Sequence, residues 1–339
     1  MWEATAELPE QIGRAIDAAL DVDLGGMVGG APVRNVVVCG MGGSGIAGDV
    51  VSAIAWTRAD VPVTVVKSYG VPRCVGPGTL FFAVSCSGGT EETLAAAAEA
   101  RGRGASLVTV AGAGALADLA SREGSPLVRV PAAIPQPRAA LGALSVPPLV
   151  VLERLGLFDG VTRSLRSAVA LLGRRRDLLV RSGSLAEDLA RGIADTIPLV
   201  QGANGPTGVA AMRWKTQINE NAKSPAFWSL QPELCHNEVA GWARLAEETG
   251  SLFTVVTLRH SAEHPRVALR FEIVKEIVGP AVAAVVEART DAMDDVGALF
   301  DLSLLGDFVS LHLAANAHVD PGPVPVLSEL KAQLSEWNG

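Results

Sequence analysis

A chain of 339 residues, 49% apolar and 19% charged, has enough apolar side chains for about two packed domains and too little charge for a disordered protein. Its net charge of -8 argues against nucleic acid as a partner, because neutralising phosphates takes clustered Lys and Arg. The four cysteines show no CxxC pairing and are too few for a disulfide framework, the N-terminus lacks a secretory pattern, and no uninterrupted apolar run approaches membrane-span length. These features predict a cytoplasmic protein with reduced thiols and no membrane partner.

Residues 8–29 predict an N-terminal helix ending in glycines. The β-branched run at 33–39 reads as a buried parallel strand, followed by a glycine turn at 40–45 and a helix starting near Ile46. Further strands are predicted at 61–67, 79–85, 105–111 and 127–130, with an alanine-rich helix at 91–103. Alternating strands and helices predict a doubly wound α/β sheet. Residues 147–195 have helical periodicity and no strand. The basic run Arg174-Arg175-Arg176 within them reads as a solvated helix face. A second α/β half then begins with a strand at 197–201 and continues with strands at 253–258 and 281–287. A long apolar helix at 293–318 and an amphipathic helix at 324–337 close the chain. The expected organisation is an N-terminal lobe at 1–150, a helical connection at 151–195 and a C-terminal lobe at 196–339. Residues 38–47 and 200–209 form a weak internal repeat of strand, glycine turn and helix, so two similar halves would place a cleft at the carboxyl ends of their strands.

Gly40-x-Gly42-x-x-Gly45 has the spacing of a dinucleotide fingerprint. That fingerprint needs an acid closing the second strand, yet the strand ends in Lys67-Ser68-Tyr69 and Asp60 precedes it. The turn after the third strand carries more information. Ser85-Cys86-Ser87-Gly88-Gly89-Thr90 sets three hydroxyls among two glycines, directly before a helix that opens Glu91-Glu92-Thr93. Glycine lets backbone approach an anion, and orphan N–H groups at a helix start favour negative charge. With no lysine in the turn, a monophosphate on a small molecule fits better than a nucleoside triphosphate. The alternative is a helix N-cap, which needs only one hydroxyl.

In the second half, the polar stretch from Arg213 to Asn221 and the segment from Pro232 to Glu238 bring a carboxylate, an imidazole and amides into an otherwise apolar region. Such groups move protons at a sugar carbon or ring oxygen. His260 and His264 are four residues apart, but Pro265 disfavours helix for His264 and no third ligand has useful spacing, so a metal site is a poor reading.

The motifs Gly40–Gly45, Ser85–Thr93, Pro137-Arg138 through Gly142, Trp214–Asn221, His236–Val239, Gly306–Ser310, Val319-Asp320-Pro321 and Leu330-Lys331 run nearly end to end. In order and spacing they resemble the bifunctional phosphoglucose/phosphomannose isomerases, which are two-lobed SIS (sugar isomerase) proteins with flavodoxin-like lobes. The resemblance implies a metal-independent aldose–ketose isomerase without cofactor. It would interconvert glucose 6-phosphate and mannose 6-phosphate with fructose 6-phosphate through a cis-enediolate, in glycolysis and gluconeogenesis. It further implies that Glu220 is the base, that Arg138 stabilises the intermediate, and that His236 and Lys331 assist ring opening. His236 would be donated by the partner subunit of a homodimer. Gly43, Ser44, Ser85, Ser87 and Thr90 match the phosphate-binding positions. Cys86, Gly89, Cys235 and Gly322 depart from the family pattern, which has Tyr, Asn, Asn and Thr there; this bears on pocket shape and substrate preference more than on activity. A non-catalytic SIS protein that binds a sugar phosphate is the alternative. It would be expected to lack an acid–base residue, and all are present.

Overall fold

The structure is a computed structural model that describes residues 1–27, 30 and 32–336. Positions 28, 29 and 337, predicted as helix ends, lie outside the described residues. The first half comprises α1 (Trp2–Ala6), α2 (Leu8–Asp21), β1 (Asn35–Cys39), α3 (Gly42–Ala55), β2 (Val63–Val66), β3 (Thr79–Ser85), α4 (Glu91–Gly102), β4 (Ser106–Ala111), α5 (Ala115–Glu123) and β5 (Leu127–Arg129). Then come α6 (Leu141–Arg154), α7 (Val161–Leu179) and α8 (Leu185–Ile193). The second half has β6 (Ile197–Ala203), α9 (Pro206–Gln217), β7 (Phe227–Gln231), α10 (Glu238–Gly241), α11 (Ala246–Leu252), β8 (Phe253–His260), α12 (Pro265–Val278), β9 (Ala284–Thr290), α13 (Asp295–Asn316) and α14 (Pro325–Glu336).

Two all-parallel sheets result, ordered β2-β1-β3-β4-β5 and β7-β6-β8-β9. This is the doubly wound α/β architecture that the strand–helix alternation predicts. In each sheet the connections change direction beside the first strand. A crevice therefore opens at the carboxyl ends of β1 and β3, and another at those of β6 and β8. Side chains alternate across the strands of the first sheet and supply a core on each of its faces. Val36, Val38, Phe82 and Val108 face a core that also takes in Val200, Val256 and Leu258 of the second sheet, together with α2, α3, α6, α7, α9 and α13. Val37, Phe81 and Leu107 point the other way, onto Ala96 and Ala100 of α4 and Leu116 of α5.

The long apolar helix α13 meets the length and composition of a membrane span, but 89% of its most apolar window is buried inside the protein. It packs against α9, and Trp214, fully buried, donates from Nε1 to the Leu302 carbonyl at 2.7 Å. Gly306 makes the approach possible, since a Cβ there would collide with the Trp214 indole. Gly306→Ala is expected to lower stability by about 1–3 kcal/mol through overpacking, read as a fall in Tm.

Three expectations need correction. The first helix stops at Asp21, not near 29: Val22 is extended, and the Asp23 carboxylate accepts from the Gly25 N–H at 2.8 Å in a local turn. Strand β7 has no counterpart among the predicted strands. It is an edge strand that leaves Phe227 and Trp228 exposed, so it lacks the alternation that marks a half-buried strand. Finally, Arg174–Arg176 is not a uniformly solvated face. Arg175 lies 3.3 Å from the buried Asp301 carboxylate, and Arg176 bonds Glu10 at 2.5 Å.

Candidate active site

The first crevice is built from two turns that touch. After β1 the chain passes through the glycines and enters α3 with Gly43 and Ser44 in its first turn. After β3 it passes through Ser85–Thr90 into α4. Ser44 ties the turns together by accepting from the Cys86 N–H at 3.0 Å. Ser85 is fully buried; its hydroxyl accepts from the Gly88 N–H at 3.0 Å and lies 2.8 Å from the Thr90 hydroxyl. Ser87 accepts from the Gly89 N–H at 3.2 Å. In the bonds to Cys86 and Gly89, Ser44 and Ser87 act as acceptors, so their own O–H protons remain available to a ligand. If Ser85 directs its proton to Thr90, Thr90 keeps its own as well. Thr90 is the N-cap residue of α4, yet its side chain caps no backbone N–H. The capping alternative is therefore not realised by Thr90, and among the described residues the first N–H groups of α4 have no side-chain acceptor.

At the end of β2, Lys67 pairs with Asp49 at 2.5 Å. A cation thus stands where a dinucleotide site needs an acid. Neither thiol at the crevice is set up as a nucleophile. Burial, with help from Glu92, pushes the Cys39 thiol up to about 12, and burial raises that of Cys86.

Gly43 joins this turn to the next part of the site. A Cβ at Gly43 would lie 2.7 Å from the Pro137 carbonyl carbon and from the Arg138 N, so only glycine allows this backbone-to-backbone contact. Arg138 sits in a short 3₁₀ turn, Pro137–Ala139, with its side chain 3% exposed. Nε donates to Asn221 Oδ1 at 2.7 Å, and Nη1 to Glu220 Oε2 at 3.2 Å. Nη2 donates to the carbonyls of Pro321 and Gly322, the latter at 2.7 Å. Burial lowers the guanidinium's pKa and the Glu220 carboxylate partly restores it.

Glu220 lies in a single π-helical turn, Ile218–Ala222, that continues α9. Such turns displace a side chain from the regular helical face and recur at functional sites. The turn closes at Lys223 in the left-handed region, φ 55°, and Lys223 Nζ donates to the Glu220 carbonyl at 2.5 Å. Behind it, Asn221 Nδ2 donates to Ser310 Oγ at 2.9 Å, and Arg213 bonds both Asp307, at 2.6 Å, and the Arg138 carbonyl, at 2.9 Å. The sequence motifs contain Asn221, Asp307 and Ser310, but spacing alone assigns them no partner.

Residues 183–334 match the family model described as bacterial phospho-glucose isomerase C-terminal SIS domain. The bifunctional phosphoglucose/phosphomannose isomerase of Caldicellulosiruptor bescii is 34% identical over 340 aligned positions, covering 99% of each chain. That of Aquifex aeolicus is 34% identical over 306 positions, covering 90% of this chain and 92% of its own. The chain belongs to the bifunctional phosphoglucose/phosphomannose isomerase family. This is a family of isomerases. Among solved structures, the C-terminal domain of glucosamine-fructose-6-phosphate aminotransferase from Francisella tularensis shares the fold, with a TM-score of 0.70 and 16% identity over 94% of this chain and 96% of its own.

Within this family member, the chain's own fold does not join every expected site residue. His236 ends the 3₁₀ turn Glu233–His236 and is exposed, and among the described residues its ring makes no hydrogen bond to Arg138 or Glu220. Lys331 lies on α14, none of whose residues is buried. The Arg138 grip on the 321 and 322 carbonyls ties the segment just before that helix to the site. The second crevice differs from the first. Cys39 pairs with Ala83 and Gln201 with Thr257, so the internal repeat makes Arg259 the counterpart of Ser85. The Arg259 guanidinium is taken up by Glu263, Glu272 and Glu287 at 2.7, 2.8 and 3.3 Å, which leaves it no donor set for a phosphate.

Proposed function

We propose that the chain isomerises glucose 6-phosphate, and mannose 6-phosphate, to fructose 6-phosphate and back. The observation that carries this reading is the ion pair of Glu220 with the buried Arg138, whose backbone packs against Gly43 in the glycine turn that Ser44 ties to the hydroxyl-rich turn. In this reading the substrate phosphate accepts from Ser44, Ser87, Thr90 and the α4 N–H groups, with Ser85 and Gly43 shaping the cradle. The Glu220 carboxylate removes the C2 proton of the open-chain aldose and returns it to C1 while the O2 hydroxyl proton passes to O1, and the reverse direction runs the same transfers backwards. Arg138 stabilises the negative charge that develops on the enediolate oxygens. Ring opening falls to Lys331 and to His236, reaching in from the partner of a homodimer. Both C2 epimers are accepted when phosphate and base stay fixed and the pocket tolerates either orientation around C1–C2. The lobes are divided near 150 and 195, and the enzyme works in the cytoplasm on glycolytic and gluconeogenic hexose phosphates.

A coupled assay with each hexose 6-phosphate tests the activity, and replacing Ser87 and Thr90 with Ala tests the phosphate site. A hydrogen bond to an ionised group contributes roughly 1.5–3 kcal/mol, so the double variant is expected to raise KM by about tenfold or more. An unchanged KM would remove the turn from the reading, and no turnover of either sugar would remove the reaction.

A further inference from the structure

The segment that carries His236 is pinned on both sides. Before it, Leu234 is buried, and the Cys235 thiol donates to Gln231 Oε1 at 3.1 Å. After it, Glu238 turns its carboxylate onto the face of the second sheet. There Oε1 accepts from Gln201 Nε2 at 3.2 Å and from Ser229 Oγ at 3.1 Å. Gln201 and Ser229 sit side by side in the parallel pairing of β6 and β7, so one carboxylate oxygen bridges two neighbouring strands. Asn237 locks the corner between them: its Nδ2 donates to Glu233 Oε1 at 2.9 Å and its Oδ1 accepts from the Glu238 N–H at 2.6 Å. His236 and Asn237 are exposed between these anchors.

No cation pairs with the Glu238 carboxylate among the described residues, and burial raises its pKa more than the two hydrogen bonds lower it. A carboxyl group held this way adds little to stability, since partial burial without a cation is costly. Its geometry does fix the far end of the His236 strap.

We propose that Glu238 is a positioning residue for His236: its bridge across β6 and β7 sets where the imidazole stands, which rests on the reading of His236 as a ring-opening group. A displaced reacting group loses rate without losing substrate affinity, and a misplacement of about 1 Å costs up to roughly a hundredfold. Glu238→Ala is therefore expected to lower kcat by roughly tenfold to a hundredfold with KM nearly unchanged. Glu238→Gln keeps an oxygen that accepts both bonds and is expected to restore most of that loss. If Glu238→Ala does not fold, Ser229→Ala, which removes one of the two donors, carries the same test through a smaller loss confined to kcat.

The deciding measurement is the double-mutant cycle with His236→Ala in the full-length enzyme. The loss from Glu238→Ala should largely vanish in the His236→Ala background. An equal loss in both backgrounds, a wild-type kcat for Glu238→Ala, or a Glu238→Gln as impaired as Glu238→Ala each overturns the proposal. If His236→Ala keeps full kcat, the role of His236 falls and the proposal with it. If only the Glu238 variants are silent, the role of His236 stands and the clamp alone is refuted.

Discussion

Glu220→Gln is expected to lower kcat by about 10²–10⁴-fold while leaving the phosphate-dependent part of substrate binding in place. The replacement is nearly isosteric, and its amide oxygen still accepts from Arg138 Nη1, so the π turn has little reason to move. What the amide cannot do is take a proton from carbon. The loss should therefore fall in kcat, with competitive inhibition by a non-isomerisable hexose phosphate unchanged. A second readout is exchange of the substrate C2 hydrogen with solvent, which should stop together with turnover. A variant that kept most of its kcat would mean that another group is the base.

Arg138→Met is expected to cost about 10²–10³-fold in kcat, the scale of losing a fixed donor to a developing oxyanion. Unlike the previous variant, it should also destabilise the fold. The guanidinium serves Asn221, Glu220 and two backbone carbonyls from a position that is 3% exposed. Removing it strands those acceptors, at about 1–3 kcal/mol for each buried group left unpaired. Arg138→Lys should recover part of the stability and little of the rate, because one ammonium cannot reproduce the planar fork. Steady-state kinetics and thermal melts on all three proteins check both statements. A Met variant with wild-type kcat would detach Arg138 from the chemistry.

The doubly wound halves were legible in the sequence because their strands are short β-branched runs ending in glycine turns, and both signals are local. The hydroxyl-rich turn Ser85-x-Ser87-Gly88-Gly89-Thr90 was legible for the same reason, and its use as an anion cradle is part of the proposed reading. What the residues alone did not disclose depends on distant partners. Strand β7 is recognisable only once β6 lies beside it, because Phe227 and Trp228 remain exposed. Arg175 looked solvated because its partner Asp301 lies on α13, far along the chain. The shell of Asn221, Ser310, Arg213 and Asp307 behind Arg138 draws on α9, the π turn and α13, which meet only when Gly306 lets the helices close. The hydroxyls themselves are not equivalent either. Ser85 turned out fully buried and bonded inside the turn, a distinction that composition cannot make.

Gly43 presses the first glycine turn against the peptide of Arg138, so the backbone from which the guanidinium extends is held close to the turn that Ser44 ties to the hydroxyl cradle. On the proposed reading, that contact is a ruler. A sugar must span from its phosphate to the carbons over Glu220 with a set number of bonds, and a backbone contact this close cannot slide to make up a shortfall. A pentose 5-phosphate, one carbon shorter, reaches the cradle or the base but not both at once. Selectivity for chain length would then rest on the backbone contact of one glycine as much as on the side chains that grip the sugar.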